Sequence, residues 1–453
     1  MPSKAQSEDL MDKVVSLAKR RGFVFQSSEI YGGLSGCWDY GPLGVELLRN
    51  IKEQWWRAMT LRDDIEGMDS SILMHTGVWE ASGHVEHFTD PMVDCRECKA
   101  RFRADDVVDA MCANRAYKGR RAQKCQEEGK FTDARRFNLM FKTFIGPVED
   151  EGAVVYLRPE TAQGMYVNFL NVQSASRQKL PFGVAQIGKA FRNEINTRYF
   201  LFRTREFEQM EMQYFVKPGT DETWFDYWRE LRWEWFINLG MRPEKLRWRE
   251  HEPNALAHYA KRAFDIEYEF PFGWGEIEGI HNRTDYDLSR HQQYSGKSLQ
   301  YFDTEKKEKF TPFIIETSAG ATRAFLAYLI EAYREEMART ATGGEEQRVI
   351  LKFHPSLAPL QAAVLPLVNR DGMDEIARSL AKNLQDYYRV FYDDSGAIGR
   401  RYRRQDEVGT PFCFTVDSQT LQDQTVTVRD RDSMRQDRIS SDAVRSYLDE
   451  KLH

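Results

Sequence analysis

Phe191-Arg192-Asn193-Glu194, followed after eight residues by Arg203-Thr204-Arg205-Glu206-Phe207-Glu208-Gln209-Met210-Glu211, brings together the residue types that recognise a nucleotide. Guanidinium groups suit phosphate, an aromatic face suits a base and a carboxylate suits an amine. The two segments read as strands, along which side chains alternate between faces. Arg192 and Glu194 then share one face, as do Arg203, Arg205, Phe207, Gln209, Glu211 and Gln213. Ala185, Ile187 and Phe191 on the first strand, and Met210, Met212 and Tyr214 on the second, point the other way and are apolar, as in a hairpin packed on one side. On this pattern alone, a nucleotide site and an amphipathic sheet edge with surface ion pairs both remain open.

A second constellation, Glu316-Thr317-Ser318-Ala319-Gly320-Ala321-Thr322-Arg323, runs from the strand-like Phe313-Ile314-Ile315 into an apolar helix. Small residues at such a turn let backbone approach a ligand closely, although they also serve tight packing. Arg323 falls in the first helical turn, where the macrodipole favours anions and a cation is locally unfavourable. A cation placed against its own helix dipole points to a ligand.

These residues need elements to hold them. Val45, Leu48, Ile51, Trp55 and Met59 recur at helical spacing after Gly41-Pro42-Leu43-Gly44, which predicts a long amphipathic helix. A second helix is expected over 221–239, with Trp224, Trp228, Leu231 and Trp235 on one side and Gly240 as its stop. Between about 94 and 151 the chain is strongly charged and loses alternation, and it reads as an insertion. A helix expected over about 323–339 is followed by the glycine-rich, charged stretch 341–346, which reads as a linker at a domain boundary. Beyond it, strand-like runs at 349–353, 390–392, 412–416 and 424–428 and a helix at 373–388 predict a compact α/β domain.

Composition limits what the whole can be. The chain has 453 residues, 41% of them hydrophobic, enough for two or three globular domains. Charges run through its first fifteen residues and no apolar run has membrane-spanning length, so a cytoplasmic location without membrane contact is expected. With 64 basic and 70 acidic residues the net charge is −6, which excludes a globally basic nucleic-acid binder. Any RNA contact must come from local patches, such as Arg400-Arg401-Tyr402-Arg403-Arg404 in a last domain whose residues from Glu345 onward count 16 basic against 18 acidic. That cluster is equally readable as solvated or internally paired arginines. Six cysteines at uneven spacing do not make a disulfide framework. Cys95-x-x-Cys98 has the form of half a zinc site with Cys112 and Cys125 as partners, but the 13-residue separation of that second pair is not a knuckle, so free thiols are expected. The nine histidines are scattered, and His281 and His291 read as structural.

Together these blocks resemble motifs 2 and 3 of the class II aminoacyl-tRNA synthetases. Gly36-Cys37-Trp38-Asp39-Tyr40-Gly41-Pro42-Leu43-Gly44, Arg158-Pro159-Glu160-Thr161-Ala162-Gln163-Gly164 and Gly279-Ile280-His281-Asn282-Arg283-Thr284-Asp285 are similar to blocks of the dimeric glycyl-tRNA synthetase type. So are Gly399-Arg400-Arg401-Tyr402-Arg403-Arg404, Gly409-Thr410-Pro411-Phe412 and Thr427-Val428-Arg429-Asp430-Arg431-Asp432 in the last domain. The resemblance covers nearly the whole chain in order, departing at Thr317, where relatives often carry proline, and in a motif 1 proline that is not visible.

The resemblance implies an α/β protein: a catalytic α+β domain on an antiparallel sheet (1–340, with insertions at about 94–151 and a helical one at about 217–270), then the linker and an anticodon-binding α/β domain (347–453). It implies an enzyme that attaches glycine to tRNA(Gly) through glycyl-adenylate, with ATP as substrate, Mg²⁺, and a homodimer built on the helix from Val45. Arg192 then corresponds to the arginine at the α-phosphate, Glu194 to the acid near the adenine amine, Phe207 to the ring under adenine and Arg323 to the arginine over it. Arg203 or Arg205 adds a phosphate contact. Glu160, Glu211, Arg283, Glu316 and Ser318 correspond to the glycine site, and Arg400, Arg401, Arg403 and Arg404 to tRNA contacts. Acids between Glu276 and Glu316 are the candidates for Mg²⁺. A class II synthetase for serine, threonine, proline or histidine, or a non-catalytic RNA-binding paralogue, remains as an alternative.

Overall fold

The computed structural model describes residues 4–104, 107, 122–254, 256–257, 259–339 and 344–452. The site-bearing sheet is built from β1 (Ile65–Gly67), β2 (Phe182–Phe191), β3 (Glu206–Val216), β4 (Leu246–Glu250), β5 (Arg262–Phe270), β6 (Gly273–Thr284) and β7 (Phe313–Gly320). Their order across the sheet is β4-β5-β6-β7-β3-β2-β1, and every pairing is antiparallel except β1 with β2. On β3, Met210, Met212 and Tyr214 are fully buried in the main core, while Gln209, Glu211 and Gln213 face the other side. The period of two therefore puts packing and chemistry on opposite faces of one strand.

The apolar side of the sheet is covered by α1 (Pro42–Thr60), α2 (Asp221–Asn238) and α3 (Ala321–Ala332). Helix α1 starts three residues before Val45, with Pro42 at its first position, where the missing N–H costs nothing. Leu47, Leu48, Ile51, Trp55 and Met59 are buried within the chain, whereas Val45 is exposed. Gly44 is required: a Cβ there would lie 1.8 Å from the Phe23 carbonyl oxygen. Helix α2 buries Phe225, Trp228, Trp235 and Phe236, and also Arg232, whose guanidinium meets Glu278 of β6 at 2.7 and 3.2 Å.

Two expectations about element type change. The segment 217–270 is helical only at its start; β4 and β5 extend the central sheet, because Trp248, Phe264 and Ile266 pack against the main core. The helix expected to reach Arg339 ends at Ala332. The chain then forms β8 (Tyr333–Arg339), paired in register with β9 (Glu345–Leu351) from Tyr333 opposite Leu351 to Arg339 opposite Glu345. Glu-Glu-Met-Ala-Arg is good helix-forming sequence, but ladder pairing to β9 outweighs propensities of a few tenths of a kcal/mol per residue. Of the stretch read as a linker, Glu345 and Glu346 thus belong to a strand and 341–343 lie outside the described residues.

The C-terminal part is a five-stranded sheet of β10 (Ala362–Pro366), β11 (Val390–Tyr392), β12 (Phe412–Val416), β13 (Thr425–Asp430) and β14 (Gln436–Ser440), ordered β11-β10-β12-β13-β14. The pairs with β10 are parallel and the others antiparallel. It carries helices α4 (Met373–Gln385), α5 (Ile398–Val408) and α6 (Val444–Leu452). Its interior strand β10 is buried at every position and falls outside the strand-like runs; the run at 349–353 lies in and just after β9 instead. Within the charged stretch, strands Thr89–Asp94, Arg101–Arg103 and Arg135–Asn138 make a small sheet over a core that includes Cys95, Cys98 and Cys125.

Candidate active site

The centre of the sheet sets a carboxylate floor. Glu211 of β3 stands opposite Ser318 of β7, Gln213 opposite Glu316, and His281 of β6 opposite Glu316. Ser318 Oγ donates to Glu211 Oε1 at 2.6 Å, Gln209 Nε2 donates to the same oxygen at 2.9 Å, and the backbone N–H of Thr161 donates to Oε2 at 3.0 Å. Glu316 accepts from Gln213 Nε2 at 2.9 Å and from Arg283 Nη1 at 3.0 Å, with His281 Nδ1 at 2.8 Å. Arg283 is itself clamped by Asp287 at 2.8 and 3.0 Å and lies 3.7 Å over the Tyr259 ring. Glu160 comes from the turn before Ala162–Val167 and accepts from Gln163 Nε2 at 2.9 Å.

Three glutamates in one cavity, Glu211 and Glu316 buried and Glu160 partly so, cannot all be ordinary. Burial alone raises each, and the cations nearby decide how far that rise is reversed. For Glu316 the Arg283 guanidinium and His281 prevail and hold its carboxyl well below the usual range. Burial likewise opposes ionisation of Glu160, but His84 and Arg283 keep it a carboxylate. For Glu211 burial, then the charges of Glu316 and Glu160, prevail and push it up to about 7. The floor therefore has room for one more positive charge, beside Glu211.

The other end of the cavity is aromatic and cationic. Arg192, Glu194, Phe202, Arg203, Phe207 and Arg323 line it together with the floor residues. Arg192 sits 5.3 Å from the Phe207 ring and 5.4 Å from the Phe88 ring, and its Nε donates to the Pro159 carbonyl at 3.1 Å. Arg323 is fixed from behind: Nε donates to the Phe202 carbonyl, Nη1 to the Glu276 carbonyl, both at 3.2 Å, and the guanidinium lies 4.5 Å over the Phe202 ring. Its ion pair with Glu276, at 3.1 Å, places a half-exposed carboxylate at the cavity wall.

Of the arginine pair left open by the sequence, Arg203 lines the cavity and Arg205 does not. Arg205 donates to the carbonyls of Glu194 at 2.9 Å and Ser35 at 2.5 Å, tying two loops together. It precedes β3, where strand alternation no longer governs direction. Phe202 and Tyr259 are cavity residues that the sequence reading did not single out; His281, read there as structural, also lines the cavity, as does Glu276, the first of the acids named for Mg²⁺. His281 shares the alternation of β6 with Arg283. Glu276 was hidden by a β-bulge: the register shift opposite Ile266 and Glu267 leaves Ile277 without a partner, so Glu276 faces the cavity although Glu278, two residues on, faces the core.

In the C-terminal domain, Arg400, Tyr402, Arg403 and Arg404 line a groove with Arg429 and Arg435. Arg401 is excluded from it. Only 2% exposed, it donates to the carbonyls of Gly396, Pro366, Asp393 and Leu367 and serves as an internal brace, because its position on α5 faces the sheet. Arg404 is paired with Asp393 and Arg403 with Glu346, so both partly neutralise at home.

Cys95, Cys98 and Cys125 form no disulfide, and Cys112 lies outside the described residues. Among the described residues, no group of three or more His, Cys, Asp or Glu is arranged to hold a metal ion, and no helix is long and apolar enough to cross a membrane.

Residues 82–333 match the model of the tRNA synthetase class II core domain (G, H, P, S and T), and residues 361–451 that of the anticodon binding domain. The chain is 58% identical to the glycine–tRNA ligase of Treponema denticola over 432 residues, 95% of this chain and 94% of that one. It is 53% identical to the glycine–tRNA ligase of Thermobifida fusca over 458 residues, 99% of each chain. Among solved structures, a prolyl-tRNA synthetase from Cryptosporidium parvum complexed with L-proline and AMP superposes with a TM-score of 0.64 at 15% identity, covering 97% of this chain and 75% of that chain, a likeness of fold alone.

Proposed function

The chain belongs to the class II tRNA synthetases and, within them, to the glycine–tRNA ligases, and from that membership we propose how its site divides the labour of joining glycine to tRNA with ATP. Adenine lies between Phe207 and Arg323, with Glu194 at its amine, and Arg192 and Arg203 face the phosphates. The glycine ammonium enters the carboxylate floor of Glu160, Glu211 and Glu316 beside Ser318, and Arg283 holds Glu316 in place. The observation that carries this reading is Glu211: a carboxyl pushed up to about 7 by burial, and then by the charges of Glu316 and Glu160, is a place prepared for a cation.

Glycine's carboxylate oxygen attacks the α-phosphorus in line, the bond to the bridging oxygen breaks and pyrophosphate leaves with the electron pair. Arg192 stabilises the charge that develops on the phosphoryl oxygens. The terminal ribose hydroxyl of tRNA then attacks the carbonyl carbon of glycyl-adenylate, AMP leaves and the hydroxyl proton is released. Mg²⁺ neutralises polyphosphate charge when bound; it takes one or two carboxylates and substrate oxygens rather than a protein cage, and Glu276 at the cavity wall suits that part. Arg400, Arg403 and Arg404 contact tRNA from the C-terminal groove.

A cytoplasmic homodimer completes the reading. It is supported by the short 3-10 turn holding Ile30 and Tyr31, 89% and 87% exposed side by side, apolar surface that a second copy would cover. Light scattering on the purified protein tests the dimer. The chemistry is tested by ATP–pyrophosphate exchange: Arg192→Ala should slow glycine-dependent exchange at least about 100-fold, and unaltered exchange would overturn the assignment.

A further inference from the structure

Glu160 is held from behind by a residue that does not line the cavity. His84 Nε2 lies 3.4 Å from Glu160 Oε2, while Gln163 Nε2 holds Oε1 at 2.9 Å, so both oxygens of the carboxylate are engaged. The imidazole is fixed on its far side. Ser82 Oγ meets His84 Nδ1 at 2.8 Å and the Trp79 carbonyl at 3.3 Å. The contact of Nε2 with a carboxylate is attractive when Nε2 carries hydrogen.

The backbone is fixed too. Gly83 has φ of +81°, a conformation that favours glycine, and Asn138 Nδ2 donates to the carbonyls of His84 and Val85 at 3.1 and 2.9 Å. Trp79 and Phe88 flank the ring at 5.6 and 5.4 Å. Three separate devices, a left-handed glycine, an asparagine clamp and a buried serine, converge on one side chain and aim it at one carboxylate.

We infer that His84 is a positioning residue for glycine: it orients the Glu160 carboxylate toward the substrate ammonium through the Ser82–His84–Glu160 relay. The inference rests on the proposed role of Glu160 at the amine. His84 does not line the cavity, so its effect belongs to glycine binding through Glu160.

His84→Ala should raise the KM for glycine about tenfold, the size of a lost charge-assisted hydrogen bond, leaving kcat and the KM for ATP within about twofold. Added imidazole should restore part of the glycine KM. In a Glu160→Gln background, His84→Ala should add nothing further, because the relay ends at Glu160. An unchanged glycine KM, an equal rise for ATP, or full additivity with Glu160→Gln would overturn the inference while leaving the amine site standing. If Glu160→Gln itself leaves the glycine KM unchanged, the amine-site reading fails and the inference with it. Should His84→Ala not fold, Ser82→Ala, which leaves the imidazole but frees it, is expected to raise the glycine KM about threefold; no change would again overturn the role.

Discussion

Glu211 carries the pH behaviour of the site. Burial and the charges of Glu316 and Glu160 push its carboxyl up to about 7, so it takes up a proton below that pH, and a protonated carboxyl no longer attracts an ammonium. Glycine affinity should therefore fall as pH drops through about 7, with calorimetry showing proton release on binding below it; Glu211→Gln should lower affinity and flatten the profile. The stability linkage has the same root and the opposite direction. Because the folded carboxyl is raised above its unfolded value, its favourable contribution is complete below about pH 4 and is lost as pH rises through about 7. The loss is of order 3 kcal/mol, so the ligand-free enzyme should melt lower at pH 8 than at pH 6, and glycine should narrow the gap.

Backbone regularity decides which site residues were legible in the sequence. Phe207, Gln209 and Glu211 lie inside β3, where a period of two locates them. Arg205 and Phe202 lie in the loop between β2 and β3, where no period applies, and Glu276 lies across a bulge that reverses its face. Arg401 looked like one of four equivalent surface cations, and only the packing of α5 on the sheet separates it from its neighbours.

At the level of elements, α2 is tied to β6 by Arg232 and Glu278, 1% and 0% exposed. Burial raises the Glu278 carboxyl and Arg232 opposes it. Such a pair adds little net stability compared with apolar residues, but breaking it leaves a buried charge. Glu278→Ala should cost about 3–5 kcal/mol in urea unfolding, whereas joint replacement of both by apolar residues of similar volume should cost much less. Apolar spacing revealed α1 and α2 in the sequence, but not this pair, since no pattern marks an arginine on the buried side of a helix. The same holds for β8, whose helix-forming residues conceal a strand that exists only because β9 pairs with it.

Across the molecule, the two main parts are joined by a buried arginine hub. Asp406 of α5 accepts from Arg348 of β9 at 3.0 Å and from Arg429 of β13 at 2.8 and 3.1 Å, and Arg348 also holds Glu336 of β8. At the surface, Arg389 meets Glu46 of α1, and Arg20 and Arg21 meet Glu407. Asp406→Ala leaves the buried Arg429 guanidinium without its carboxylate and Arg348 with Glu336 alone, a loss of about 3–5 kcal/mol. It should split thermal unfolding into two steps, with tRNA charging lost at the first and glycine-dependent ATP–pyrophosphate exchange surviving to the second. A single transition with both activities lost together would mean that the parts do not unfold separately.

On the proposed assignment, one strand carries both the adenine ring position, Phe207, and the amine position, Glu211. Four residues of β-strand measure about 13 Å and do not stretch, so β3 acts as a fixed gauge between the two substrates. A fixed gauge rejects a substrate of the wrong length. With β-alanine, whose extra methylene adds little width, an ammonium seated at Glu211 would carry the carboxylate past the phosphorus, making it a weak inhibitor instead of a substrate.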